Sequence, residues 1–341
     1  MRPGAFFSAF VALMAALAAP ARAETITLTY ANFPPAVTFP SVQMERWAKE
    51  VGKRTNGAVK VKTFPGGTLV GAKNMLEGVT SGIADIGNFA MSYQPGRFPV
   101  SEAVDLHHGF TSARVASQVL LDLVQKHQPK EFEKVKVLAL FTCPPTNLMT
   151  RTPVQSLKDL SGMELRVAGT SAEVLKLLGG VPVAMPQSDT PEAIQKGVVK
   201  GIVSSLEILQ DFKFAAYTPN ATLVNLPVVS FAVVMNKAKW NSLPAEVQKV
   251  MDDLVAEQSV WTGEYVDQHV EEALAWAAKE HGLRQFTLPA EEQKEIDARL
   301  APLADAYVQR VSAQGLDGKQ ILSDVRALKA KHEKASREKG K

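Results

Sequence analysis

The sequence predicts an α/β protein built in two units, and three observations carry that reading. Strand-like runs alternate with helical repeats from Ile26 to Gly87 and again from Ser156 to Ser204, which is the βαβ rhythm of parallel sheets. Between them, Cys143-Pro144-Pro145 marks a crossover where the chain can leave one unit for the other. A helical pattern then runs from Pro244 to His281 with no later proline and stops at Gly282. At about 1.5 Å per residue that is a rod of about 55 Å, longer than one small domain, so it is expected to span both units.

The elements follow in order. Met1-Arg2, an apolar run from Ala5 to Ala19 and Pro20-Ala21-Arg22-Ala23 have the charged, apolar and small-residue order of a secretory signal, with cleavage expected after Ala23. The run is short for crossing about 30 Å of hydrocarbon, which takes roughly 20 residues. The mature chain is therefore expected to be soluble outside the cytoplasmic membrane. Losing Arg2 and Arg22 leaves 36 basic against 35 acidic residues, a net charge of +1, which implies no nucleic-acid partner. The basic stretch from Lys329 to Lys341 reads as a solvated helix end. Cys143 is the only cysteine, so no intrachain disulfide and no thiolate metal cluster are expected.

Ile26 to Ala31 alternates as a strand and ends at Asn32-Phe33-Pro34-Pro35, where the prolines force an extended turn. Met44, Trp47, Ala48 and Val51 recur at helical spacing, and a second strand runs from Val59 to Phe64. The segment Pro65 to Lys73 is glycine-rich, but Ala72 stands where a phosphate-cradling loop needs lysine, so it is rejected as a nucleotide site. A helix with Met75, Leu76 and Val79 on one face leads to a short strand over residues 83–87. The loop expected after it presents Asn88, Phe89, Met91 and Tyr93, candidates for a pocket because ligands of open α/β sheets gather at carboxyl ends of strands. Their alternative role is core packing and turn formation. His107-His108 are adjacent, point apart on a strand and have no third ligand nearby, which argues against metal. A helix near Arg114 to Lys126 and a strand from Val135 to Leu140 complete the first unit.

The second unit centres on Arg166, a lone arginine in a strand whose neighbours Met163, Leu165 and Val167 point to burial between layers. A buried guanidinium is either ion-paired within the protein or meets a charged ligand. Thr170 or Ser171 caps the next helix, Val181 to Met185 is a strand, and Gly201-Ile202-Val203 is another. Arg166, Gln187, Ser188, Ser204 and Ser205 thus fall at or just beyond the ends of three consecutive strands. From Thr222 to Met235 the chain is strand-like, but Pro227 requires a bend or a break where it returns to the first unit. Gly263 marks a bend or only a weak spot in the long helix, and amphipathic helices interrupted at Pro302 and Gly315 end the chain.

In this order, Phe64 to Gly71, Asn74 to Glu77, Gly82 to Ile86, Tyr93 to Pro99, Leu157 to Val167, Leu178 to Pro186 and Gln195 to Gly201 resemble one family. It is that of the substrate-binding proteins of tripartite ATP-independent periplasmic (TRAP) transporters, and the resemblance covers essentially the whole mature chain. It implies a two-domain periplasmic binding protein fold of type II-like form, with crossing hinge strands and a long helix bracing both domains. Domain I is then expected from residues 24–143 and 232–271, domain II from 144–231 and 272–330, and a basic tail over 331–341. It also implies that Arg166 holds a ligand carboxylate and that two integral membrane subunits are the partners. The protein itself is expected to be a monomer with no metal or cofactor.

Departures from the family pattern fall in the pocket. Gln187 stands where many relatives carry a ligand-stacking phenylalanine, and Lys200 to Ser205 replaces the usual acidic Asp-Gly-Gln-Glu-Asn-Pro segment. A second ligand-binding arginine of some relatives would fall near Thr146. Loss of that cation argues against a C4-dicarboxylate or sialic acid and leaves a monocarboxylate, its apolar or aromatic body packed by Phe33, Phe89, Met91 and Phe231. A secreted enzyme is the rival of a different class, but the chain lacks a Gly-x-Ser-x-Gly elbow and a His-Glu-x-x-His motif. An ABC-type receptor would share the cleft and differ in its membrane partner.

Overall fold

The computed structural model describes residues 25–169 and 171–339, the side chain of Lys339 excepted. The expected secretory segment, its cleavage site and a cap at Thr170 lie outside the described residues. Eleven strands follow along the described chain: β1 (Ile26–Asn32), β2 (Val59–Phe64), β3 (Ile86–Ala90), β4 (Val135–Thr142), β5 (Thr146–Thr150), β6 (Glu164–Val167), β7 (Val181–Ala184), β8 (Gly201–Ser204), β9 (Asn220–Leu226), β10 (Ser230–Asn236) and β11 (Arg284–Thr287). The α-helices are α1 (Phe39–Arg54), α2 (Met75–Thr80), α3 (Ala113–His127), α4 (Ser171–Leu177), α5 (Thr190–Gln195), α6 (Ile208–Asp211), α7 (Lys237–Asn241), α8 (Ala245–His281), α9 (Ala290–Leu300), α10 (Pro302–Ser312) and α11 (Gly318–Lys339).

The strands form two sheets, in the orders β2-β1-β3-β10-β4 and β11-β9-β5-β8-β6-β7. In the first, β1 is parallel to β2 and β3, while β10 runs antiparallel to β3 and β4. In the second, β6 is parallel to both β7 and β8, so Arg166, Gln187 and Ser204 are delivered from neighbouring strands toward one edge of the sheet. Side chains alternate across β5, with Leu148 in one core beside Leu165 and Val203, and Met149 in another beside Ile202 and Phe214. This part of the second sheet is therefore buried on both faces.

Two short segments cross between the sheets. Cys143-Pro144-Pro145 joins β4 to β5, and Pro227-Val228-Val229 joins β9 to β10, so Pro227 marks a change of sheet rather than a bend within one strand. The crossings are tied together: the Cys143 amide donates to the Val229 carbonyl at 2.9 Å, and the Thr146 hydroxyl to the Pro227 carbonyl at 2.8 Å. The 37-residue α8 braces both units, burying Met251, Leu254 and Val266 in the first core and Ala277 in the second unit. Gly263 serves close packing: a Cβ there would stand 2.5 Å from Cα of Arg114 on α3.

Four expectations are corrected. The third strand is β3, three residues later than the pattern placed it, which puts Asn88 and Phe89 inside the strand. Residues 272–330 divide between units: Ile296 and Leu300 of α9 join the second core, whereas Tyr307 and Val311 of α10 and Ile321 and Val325 of α11 are buried in the first. The division falls where α9 stops and Pro302 starts a new helix. The described part of the basic tail, residues 331–339, is the end of α11, and its start is docked, with Lys331 Nζ and His332 Nε2 at 2.8 and 2.9 Å from Asp122 Oδ2. The second sheet also contains β5 and β11, which lie outside the strands read from the pattern. His107 Nε2 meets Asp297 at 2.8 Å and His108 Nε2 meets the Ala103 carbonyl at 2.6 Å, so each imidazole is engaged separately.

Candidate ligand-binding site

The strand ends and the crossings surround a cavity with about 580 Å³ of space between atoms, part of it open to solvent. Phe33, Phe39, Ala90 and Tyr93 come from the first unit, Cys143 and Val229 from the crossings, Thr146 from the start of β5 and Phe231 from β10. Arg166, Gln187, Ser204, Ser205, Glu207, Ile208 and Phe212 come from the second. Phe39 packs edge-on against Phe231, which stacks on Phe141 at 5.3 Å between ring centroids, so one wall is a rigid aromatic surface.

Arg166 is 2 % exposed. Its Nε and Nη2 donate to the Met185 carbonyl at 3.0 and 2.8 Å, its Nη1 to Gln187 Oε1 at 2.5 Å, and Nη2 lies 3.4 Å from Tyr93 Oη. All these acceptors are neutral, and among the described residues no carboxylate pairs with the guanidinium. Burial pushes the arginine's pKa down, so the site disfavours its charge unless an anion arrives. Among the described residues Arg166 is the only cationic side chain lining the cavity, and two acids, Glu207 and Asp211, also line it.

Glu207 Oε1 accepts from the Ser205 hydroxyl at 2.6 Å, and burial pushes its carboxyl up to about 7. Asp211 Oδ1 lies 2.7 Å from His269 Nε2 on α8, a bond that raises the imidazole to about 8. Cys143 is buried, and desolvation pushes its thiol far up, away from the reactive thiolate.

Of the residues selected from sequence, Phe33, Thr146, Arg166, Gln187, Ser204, Ser205 and Phe231 line the cavity. Asn32, Asn88, Phe89, Met91 and Ser188 do not. Asn88 donates to Asn32 Oδ1 at 2.9 Å, and Asn32 donates to the Pro40 carbonyl at 2.8 Å, so this pair holds the start of α1 against the strand ends. Phe89 packs on Phe98 in the core, Met91 lies against a separate small pocket, and Ser188 is exposed. Their displacement follows from the later start of β3 and from the turn after Pro186. Sequence reasoning missed Phe39 and Glu207. The lone acid in Leu206-Glu207-Ile208-Leu209, just past a strand end, was the available signal for the latter.

A cleft between two α/β units, with one uncompensated arginine in it, defines a solute-binding receptor. The profile of the bacterial extracellular solute-binding proteins, family 7 (DctP), matches residues 34–310, and the chain belongs to that family. Its members are transport receptors rather than enzymes. A TRAP periplasmic solute-binding protein from Desulfovibrio salexigens is 49 % identical, with TM-score 0.82 over 90 % of this chain and 96 % of that one. A TRAP solute-binding protein from Rhodoferax ferrireducens, in complex with copurified benzoate, is 27 % identical, with TM-score 0.87 over 92 % of this chain and 100 % of that one. The C4-dicarboxylate-binding periplasmic protein DctP of Rhodobacter capsulatus is 27 % identical over 311 residues, 89 % of this chain and 92 % of the relative.

Proposed function

We propose that this chain is the periplasmic receptor of a TRAP transporter and captures a monocarboxylate with an aromatic or apolar body, closing its two units on it and delivering it to the membrane subunits. The buried Arg166, with neutral acceptors only, carries the reading. A planar guanidinium donates two parallel hydrogen bonds to a carboxylate, each contributing on the order of 1.5–3 kcal/mol. A dicarboxylate fits poorly, because its second charge would find no cation among the lining residues and would face Glu207 and Asp211. Phe33, Phe39 and Phe231 supply walls for an aromatic ring, and the benzoate complex of the Rhodoferax protein is consistent with that.

Within this reading Gln187, Ser204 and Ser205 contact the ligand and the tied crossings at Cys143 and Val229 act as the hinge. The protein is exported with cleavage after Ala23 and works as a monomer. Calorimetric titration with benzoate and with succinate tests the proposal: benzoate is expected to bind and succinate not. Binding of succinate, with no monocarboxylate binding, would overturn it.

A further inference from the structure

We infer that Glu207 is a specificity residue, selecting monocarboxylates that carry a hydroxyl group on the part of the molecule remote from the carboxylate. This rests on the reading of Arg166 as the carboxylate anchor. Glu207 is 2 % exposed and lines the same cavity as Arg166. The Ser205 hydroxyl holds its Oε1 at 2.6 Å, while Oε2 has no hydrogen-bond partner among the described residues. A buried carboxyl oxygen with no partner is costly, and a ligand group reaching it recovers that cost only when the ligand is bound. The neighbouring acid, Asp211, differs in being held by a cationic partner: its Oδ1 is engaged by His269 from outside the cavity, although its Oδ2, like Glu207 Oε2, has no partner among the described residues.

The chemistry of the partner follows from the surroundings. Phe39, Ile208 and Phe231 are apolar, so Glu207 is a polar spot on a greasy wall. A second ligand carboxylate would be repelled by Glu207 and Asp211. An ammonium pairs with Glu207 only in its ionised form, whereas a hydroxyl both donates and accepts and so pairs with either form. With the carboxyl raised to about 7 by burial, both forms are present at neutral pH.

Calorimetry at pH 7 with benzoate, 3-hydroxybenzoate, 4-hydroxybenzoate and 3-(aminomethyl)benzoate tests the inference. At least one hydroxybenzoate is expected to bind about tenfold or more tightly than benzoate, the scale on which a site built for a hydroxyl discriminates against its absence. In E207A that ratio is expected to fall to about one, and in E207Q, which keeps a donor and an acceptor, to be largely retained. The inference is overturned if benzoate binds as tightly as both hydroxybenzoates, if the preference survives in E207A, or if the amine ranks first. The ranking in the unmodified protein decides even where E207A fails to fold. If none of the four acids binds, the proposed function fails with it; if benzoate binds without discrimination, only the role of Glu207 fails.

Discussion

The phenol oxygen of Tyr93 stands 3.0 Å from the backbone nitrogen of Gln187 and 3.4 Å from Nη2 of Arg166. Tyr93 belongs to the turn that follows β3 in the first sheet, and Gln187 follows β7 in the second. One hydroxyl thus accepts from the Gln187 amide across the cleft and helps hold the arginine's fork. Replacing Tyr93 by Phe removes that acceptor and leaves the ring on Phe33, 5.6 Å away between centroids. Affinity for benzoate is expected to fall about tenfold, one hydrogen bond to a charged network, with the melting temperature nearly unchanged. Calorimetry reads the first and circular dichroism the second; equal affinity would remove Tyr93 from the closed state.

Gly169 sets how closely the units approach. A Cβ there would stand 2.5 Å from the carbonyl oxygen of Ser92 in the other unit, and a backbone atom cannot swing aside. Gly169→Ala is therefore expected to leave each unit folded but hold the cleft wider. Small-angle scattering should show the variant failing to compact on adding ligand, with affinity reduced more than tenfold, about 1.4 kcal/mol or more.

Removing the charge at the centre has a larger effect. Arg166→Ala is expected to abolish carboxylate binding, and Arg166→Lys to weaken it strongly, because an ammonium cannot reproduce the two parallel donors. The fold should tolerate both, since the arginine's protein partners are neutral acceptors. Unchanged calorimetric affinity in a folded Arg166→Ala protein would place the carboxylate elsewhere.

Gly263 tests the brace. Alanine in a helix interior gains about 1 kcal/mol over glycine, but here its Cβ would lie 2.5 Å from Cα and 2.7 Å from the nitrogen of Arg114. Overpacking of this kind costs about 1–3 kcal/mol, so Gly263→Ala is expected to destabilise by about 1–2 kcal/mol in urea unfolding. A more stable variant would mean that α8 and α3 separate easily.

His269 predicts a pH dependence. Its pKa is raised from about 6.5 to about 8, first by the bond to Asp211, so its contribution to stability is full below about 6.5 and is lost as pH rises through about 8. Urea unfolding at pH 6.5 and 8.5 should differ by about 1–2 kcal/mol, with less stability at the higher pH, and His269→Ala should flatten that difference. The buried acids Asp105 and Glu207, raised to about 7, act in the same direction but complete most of their change at lower pH.

Hydrophobic period and turn residues made most of the fold legible. The strands around Ile26, Val59, Val135 and Val181 and the whole of α8 follow from local pattern, because each buries a face whose spacing is set by the backbone. Arg166 stood out for the same reason, as a charge where the pattern demanded an apolar side chain. The crossover at Pro227 was marked by a residue that cannot donate to a ladder.

What the local pattern left open are relationships between residues distant in sequence. Asn88 and Phe89 differ from Tyr93 only by the register of β3, and register is set by pairing with β1 and β10. The return of α10 and α11 to the first core is decided by which apolar surface remains uncovered, which helical spacing does not specify. By itself the sequence determined two α/β units, a long helix and a buried arginine in need of an anion. Only the tertiary structure set Tyr93, Phe39 and Glu207 around that arginine, because a site made at strand ends of two sheets exists only once the chain has crossed between them.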